Sequence, residues 1–404
     1  MVIKRKTRYE SIIISITNKM TGINKWRLDF ILETFMLYLS IKGRVNFLQL
    51  GRYGKFGEQR YRQQFEKTFD FLSFNKGLVE TYGSGRYAIA FDPSYINKSG
   101  KVTPGLDWYW SGCAKKSKWG LEIGGLAAID IGNHTAFHLE AVQTVRNEGQ
   151  KLTSWYGDVI AQRKEALSSI SKYVVADAWF SKKPFADKII SIGMDLVSRL
   201  RDDANIRYLS SGHPTGKQGR PKKYAGKMNS KNLDKGYFQL IAQSDGEIVY
   251  SAIVYCVSLK RNIRLVHVTY NSAKGKETNK LYFSTDTSMA ATDVLEYYRA
   301  RFQIEFLYRD GKQHTGLEDT QARSVNKLDF HFNTSLTTIN LAKVTHWLNV
   351  SKEDRKAFSM SDVKTVNHNI LILQRFFEAF AISPHIIKNN KNIEKLIYYG
   401  TIAA

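Results

Sequence analysis

Tyr173-Val174-Val175-Ala176-Asp177 is a short apolar run that stops on an acid. Such a run reads as a strand buried on both faces, delivering a carboxylate at its end. Working outward, a helix fits Ser154 to Tyr173 on one side. On the other, a helix over about 183–192 leads to a second apolar strand, Asp195 to Leu200. Further toward the N-terminus, Tyr87 to Phe91 is another apolar run, ending at Asp92-Pro93. Leu121 to Ile131 and Thr135 to Val142 then read as a hairpin turning at Gly132-Asn133.

Three strands, helix, strand, helix, strand is the order of an RNase H-like core. The expected fold class is therefore α/β, an RNase H-like catalytic core with a β-rich insertion. The insertion is read from three strand-like runs, Phe238 to Ala242, Ile248 to Leu259 and Ile263 to Tyr270. Ahead of them, Gly219-Arg220-Pro221-Lys222-Lys223-Tyr224 lies in a loop whose backbone is free to follow phosphates. Helices resume at about residue 290 and run to about 381. Residues 1–80 read as helical, with Leu28, Ile31, Leu32, Phe35 and Leu39 at helical spacing, then Tyr61, Phe65, Phe69 and Leu72. Between these runs lies the turn Gly51-Arg52-Tyr53-Gly54-Lys55-Phe56-Gly57, which suits a small DNA-reading domain or a helical cap with solvated cations. The expected organisation is a helical N-terminal DNA-binding domain over 1–80 and the core's first part over 81–205. The β-rich insertion covers 206–285, the core's second part 286–350, and a helical C-terminal region 351–404.

Sixty Lys and Arg against 37 Asp and Glu give a net charge of +23, spread along the 404 residues. A positive field of that extent attracts polyanions, foremost nucleic acid. Only Cys113 and Cys256 are present, far apart, which excludes a disulfide scaffold and a zinc ribbon. The apolar run Ile12-Ile13-Ile14 is too short for a secretory core, and Phe30 to Ile41 is broken by Glu33 and short of a membrane span. A cytoplasmic, nucleoid-associated bacterial protein without a membrane partner is expected.

The chemistry concentrates in Tyr298-Arg299-Ala300-Arg301-Phe302-Gln303-Ile304-Glu305-Phe306-Leu307-Tyr308-Arg309-Asp310-Gly311-Lys312. On one continuous helix at roughly 100° per residue, Tyr298, Arg301, Glu305 and Lys312 fall on a strip roughly 60° wide. One carboxylate flanked by cations and a tyrosine suits a metal-bound phosphodiester. A solvated charged face explains the same pattern equally well.

The spacing Y-x2-R-x3-E-x6-K resembles the signature of the insertion-sequence DDE transposases, and Tyr298, Arg301, Glu305 and Lys312 match it at every position. Phe91-Asp92-Pro93-Ser94 and Val175-Ala176-Asp177-Ala178-Trp179-Phe180 are similar to that group's first and second aspartate strands. The resemblance covers about residues 85–350. It implies a transposase that binds double-stranded DNA, both terminal inverted repeats and target, as a homodimer on paired ends. It assigns Asp92, Asp177 and Glu305 as the catalytic acids. Three such carboxylates can hold two Mg²⁺ or Mn²⁺ ions about 4 Å apart. Tyr298, Arg301 and Lys312 are the expected phosphate grip, with Arg220, Lys222 and Lys223 contacting DNA from the loop. Trp179 is either a stacking platform for a displaced base or a core residue. His134 and His138 lack the Glu of a zinc-protease helix, and no Gly-Lys pair continues into a Walker loop.

Overall fold

The computed structural model describes residues 2–210, 222–271, 277–355, 357–383 and 391–402. Five helices come first: α1 (Val2–Thr17), α2 (Lys25–Ser40), α3 (Phe47–Tyr53), α4 (Glu58–Gln64) and α5 (Phe71–Tyr82). Strands β1 (Tyr87–Asn97), β2 (Asp107–Ser111), β3 (Lys116–Asp130) and β4 (Thr135–Gln143) follow. Then come α6 (Leu152–Ala161), α7 (Lys164–Ser168), β5 (Tyr173–Val175), α8 (Lys183–Ser191) and β6 (Asp195–Leu200). Strands β7 (Ile206–Leu209), β8 (Tyr224–Lys227), β9 (Gln239–Gln243), β10 (Glu247–Cys256), β11 (Arg261–Asn271) and β12 (Glu277–Ser284) lead to the last helices. These are α9 (Ala291–Ala300), α10 (Gln303–His314), α11 (Val325–Asn349), α12 (Met360–Ala379) and α13 (Lys391–Ile397).

The twelve strands of the described residues join one mixed sheet, ordered β2-β3-β1-β5-β6-β12-β11-β10-β7-β8, with β4 beside β3 and β9 beside β10. β1 is antiparallel to β3 but parallel to β5, and β5 is parallel to β6. The β-rich segment does not fold apart: β12 pairs antiparallel with β6, so the sheet simply continues. The helix expected over 154–173 is two shorter helices, with Arg163 between them pinned to Glu140. The strand expected to end at Asp92 runs on to Asn97, and β2 is a strand the periodicity did not show.

β4 pairs with β3 on one side, and its other edge is covered by α11. Asn333 accepts from the Ala141 N–H and donates to the Ala141 carbonyl, and Asn340 does the same for His138. Seven residues apart on α11, the two amides satisfy backbone groups that an open edge would leave exposed. The N-terminal helices share this core. Phe30, Phe65 and Phe71 pack around Phe330 of α11, and Tyr38 meets the His331 ring. Gly51 belongs to that packing too: a Cβ there would lie 2.8 Å from the Glu58 backbone nitrogen, so glycine lets α3 and α4 cross closely.

Two buried imidazoles make the fold acid-sensitive. Burial pushes His138 down to about 3, against the Asn333 hydrogen bond, and His331 down to about 4, against its bond to the Gly316 carbonyl. Both stay neutral in the fold while the unfolded chain takes up protons below about pH 6.5, so their contribution to stability falls as pH falls through that value. Each ring should cost about 2 kcal/mol at pH 5. The carboxyls of Asp92 and Asp329, both raised to about 7 by burial, act in the opposite sense over the same range, so the readout is a difference between proteins. Between pH 7.5 and pH 5, denaturant unfolding of His331→Gln should lose about 2 kcal/mol less, or gain that much more, than wild type; an identical change in the two proteins would refute the assignment.

Candidate active site

The parallel register of β1 and β5 places Ile89 beside Val174 and Ala90 beside Val175. Two residues on from that pair come Asp92 and Asp177, so both acids leave the same end of neighbouring strands. β5 stops at Val175 and the chain turns, with the Asp177 carboxylate accepting from the Trp179 N–H at 2.8 Å. The Ser198 hydroxyl of β6 donates to the Asp177 carbonyl at 2.9 Å and fixes the turn to the sheet. β1 carries on past Asp92, opposite β3. Pro93 is tolerated there because β5 no longer flanks this side of β1.

Glu305 comes from the first turn of α10, where a negative charge meets the favourable end of the helix dipole. The segment is not the single straight helix that the spacing suggests. α9 ends at Ala300, α10 begins at Gln303, and the Glu305 N–H bonds to the Phe302 carbonyl three residues back. Tyr298 therefore sits on one helix and Glu305 and Lys312 on the next. Arg301, at the joint, still reaches Glu305 at 3.2 Å and stands 4.0 Å from Asp92. Its guanidinium also lies by the Tyr298 ring, 5.9 Å from the centroid.

Tyr308, one turn beyond Glu305, ties α10 to β1: its hydroxyl donates to the Asp92 carbonyl. It passes over Gly125, the residue opposite Asp92 in the register. A Cβ at Gly125 would lie 1.9 Å from the Tyr308 oxygen, so only glycine leaves room for this link.

Burial raises the Asp92 carboxyl to about 7; Arg301 opposes the shift, and the charges of Asp177 and Glu305 add to it. Among the described residues, Arg301 is the one cation within ion-pair reach of Asp92. Negative charge on three oxygen-donor side chains thus faces one cleft with incomplete compensation. Such hard donors suit Mg²⁺ or Mn²⁺. As the side chains stand, no three His, Cys, Asp or Glu groups among the described residues gather closely enough to hold an ion. The acids border a shared cleft of about 950 Å³, which Lys312, Trp179 and Trp110 also line.

Lys312 lies along this cleft, but its ammonium is engaged, donating to the Tyr95 carbonyl at 2.6 Å and pairing with Glu318 at 3.1 Å. Tyr298 is half-buried against Tyr282, their ring centroids 5.0 Å apart. Trp179 is at once core and surface: its edge packs on Tyr156 and Phe180, and Lys182 covers it at 3.6 Å. Lys222 and Lys223 are not brought to the acids. They adjoin β8, seven strand spacings from β1, ~34 Å along the sheet. Arg220 lies outside the described residues.

Three side chains here had no motif to mark them. Arg199 of β6 has a buried Nε without a partner among the described residues, and its charge acts on Tyr298. The single basic residue of the strand Asp195–Leu200 was the available signal. Glu122 of β3 lines the cleft, but the Tyr156 and Thr144 hydroxyls both donate to its Oε1, which suits a structural role. Tyr308 reads in the sequence as one more helical aromatic.

No helix among the described residues is long and apolar enough to cross a membrane. No curated protein matches the chain. Residues 158–341 match the family model described as a transposase DDE domain, a span that holds Asp177, Arg199 and Glu305 and begins after Asp92. Over that span, with two of the three acids inside it, the chain is similar to transposase DDE domains.

Proposed function

We propose that this protein is a transposase that binds the terminal repeats of an insertion sequence and catalyses divalent-metal-dependent DNA cleavage and strand transfer. The observation that carries the reading is the convergence of Asp92, Asp177 and Glu305, from two strand ends and a helix, on one cleft with Arg301 between them. The order β4-β3-β1-β5-β6, antiparallel then parallel, supports an RNase H-like core with β7–β12 as its insertion. A homodimer on paired ends, with residues 1–80 reading end DNA, completes the proposal.

Two Mg²⁺ or Mn²⁺ ions bound by the three acids would activate the attacking oxygen and stabilise the leaving one. The chain's own residues do the positioning. Tyr308 holds α10 at a set height over β1, and the Ser198 bond holds the Asp177 turn. Arg301 screens Asp92 from Glu305, so two acids can share a half-buried site without driving α10 away. Arg301, Arg199 and Tyr298 lie together on the β6 side of the acids, where a phosphate next to the reacting one would meet them. Lys222 and Lys223 hold DNA further along the sheet.

Nicking of supercoiled DNA should require Mg²⁺ or Mn²⁺ and stop in EDTA. Cutting that survives EDTA would defeat the two-ion reading, and appearance of joined products separates a strand transferase from a plain nuclease. Arg301→Ala and Lys312→Ala should differ from Lys223→Ala in a way the contacts dictate. Lys223 has no ion-pair partner among the described residues and only lies by the Tyr224 and Tyr255 rings, so its loss should lower the slope of log K against log salt by roughly 0.9. Lys312 must first leave Glu318 and Arg301 must leave Glu305, so their slopes should change less while cleavage falls further. Equal slope changes for all three would mean that the intramolecular pairs do not persist.

A further inference from the structure

The β2–β3 hairpin projects beside the cleft and carries three tryptophans on one exposed face. Trp108 and Trp110 alternate along β2, and Trp119 stands opposite Trp108 in the register. Their exposures are 65%, 62% and 40%, far above those of side chains that serve a core. The opposite face explains why they stay there: Tyr109 is buried, its hydroxyl donating to the Gly105 and Thr144 carbonyls. The Trp119 indole donates to the Gly100 carbonyl at 3.2 Å and meets Trp108 edge to face at 6.1 Å. The rings are thus displayed on a braced ribbon, a large desolvation cost that a surface without a partner would not carry.

The surroundings specify the partner. Lys115, Lys116 and Lys118 occupy the hairpin, and the one acid of residues 107–120, Asp107, is already paired with Arg146 at 3.0 Å. Trp108 and Trp110 line the same cleft as Asp92, Asp177 and Glu305. Their positions are one pleat repeat apart, ~7 Å, about twice the ~3.4 Å rise of a nucleotide strand. Flat aromatic faces interleaved with cations, next to a phosphodiester site, are the makings of a platform for unpaired bases. Base faces are hidden within a duplex, so such a platform selects strands that have opened.

We infer that Trp108 and Trp110, with Trp119 as their support, stack on unpaired bases of the DNA strand beside the scissile phosphate. The inference rests on the DNA-cutting reading and adds a preference for melted or forked DNA at the point of cutting.

The test uses the full chain and two probes, a blunt duplex and the same duplex with a single-stranded arm carrying 2-aminopurine. Wild type should bind the fork more tightly than the duplex and quench the 2-aminopurine. The pair Trp108→Ala with Trp110→Ala should weaken fork binding roughly tenfold or more and abolish the quench, with duplex affinity unchanged. Trp108→Phe with Trp110→Phe keeps a ring at each position and should restore most of the fork preference, which separates stacking from damage to the hairpin. Fork affinity unchanged in the alanine pair overturns the inference, as does an equal loss on fork and duplex. A change from dimer to monomer in that pair without DNA, with the quench intact, assigns the face to a second copy and overturns it too. Wild type binding neither probe would instead sink the DNA-cutting reading itself.

Discussion

Asp92→Asn should abolish DNA cleavage, by on the order of 10³-fold or more, while leaving the protein at least as stable as wild type. The two halves of this result have one cause. Asp92 is a half-buried carboxylate raised to about 7 by desolvation and by the charges of Asp177 and Glu305, with Arg301 only partly offsetting them. Above that pH the folded chain holds a charge it disfavours, whereas the unfolded chain, with an ordinary aspartate, does not. An amide of the same shape removes the penalty, and the melting temperature should rise by ~2–5 °C. It also removes a negative oxygen donor, so an ion loses an anchor. Glu305→Gln should lose cleavage to a similar degree without that gain in stability, because Glu305 is far more exposed and pairs with Arg301 at 3.2 Å. Nicking of supercoiled DNA, gel-shift binding and thermal melting distinguish the cases. Asp92→Asn cutting at the wild-type rate would remove Asp92 from the site; a marked fall in stability would mean that its charge is compensated in the fold.

Gly125→Ala should cut cleavage by roughly 10- to 100-fold, the largest effect expected of any residue that does not face the cleft as an acid or a cation. The added methyl would lie 1.9 Å from the Tyr308 oxygen and 2.8 Å from the ring carbon bearing it. Either Tyr308 swings out and releases the Asp92 carbonyl, or α10 lifts from β1 and carries Glu305 with it. Overpacking of this kind costs about 1–3 kcal/mol of stability. Tyr308→Phe is the companion variant, losing the hydrogen bond but keeping the ring that spaces the helix. It should cost about 1–2 kcal/mol for the unpaired carbonyl and change the rate far less than Gly125→Ala. Similar rates for Gly125→Ala and wild type would show that α10 takes its height from some other contact.

Much of this site was legible along the chain because its determinants are local. Tyr173-Val174-Val175 had to be a buried strand, and the strand Asp195–Leu200 matches its reading residue for residue. The hairpin around Gly132-Asn133, the three strands between 238 and 271, and the later helices follow from periodicity in the same way. Arg301 and Glu305 meet because they are four residues apart in helical backbone, whatever happens before or after them.

What periodicity could not supply concerns partners. A helical wheel assumes one axis, and the joint at Arg301-Phe302 replaces it with two, so Tyr298 meets Arg301 and Tyr282 instead of sharing a face with Lys312. β1 reads as ending at Asp92 when judged by its apolar residues alone. It continues because β3 offers eleven residues of ladder opposite it. β2 carries no helical or buried-strand signature, since its alternation puts tryptophans outside and one tyrosine inside.

By itself the sequence nominated the three acids, through a resemblance, and determined most element types and the positive charge, because residue identity, spacing and net charge survive without knowledge of neighbours. Only the tertiary structure decided that β12 joins β6 in a single sheet, that Lys312 is held by Glu318, and that Gly125 admits Tyr308 to the Asp92 carbonyl. Each of these is a contact between residues distant in the chain or across a turn. Such contacts are selected by the fit of whole surfaces, which no local window of sequence contains.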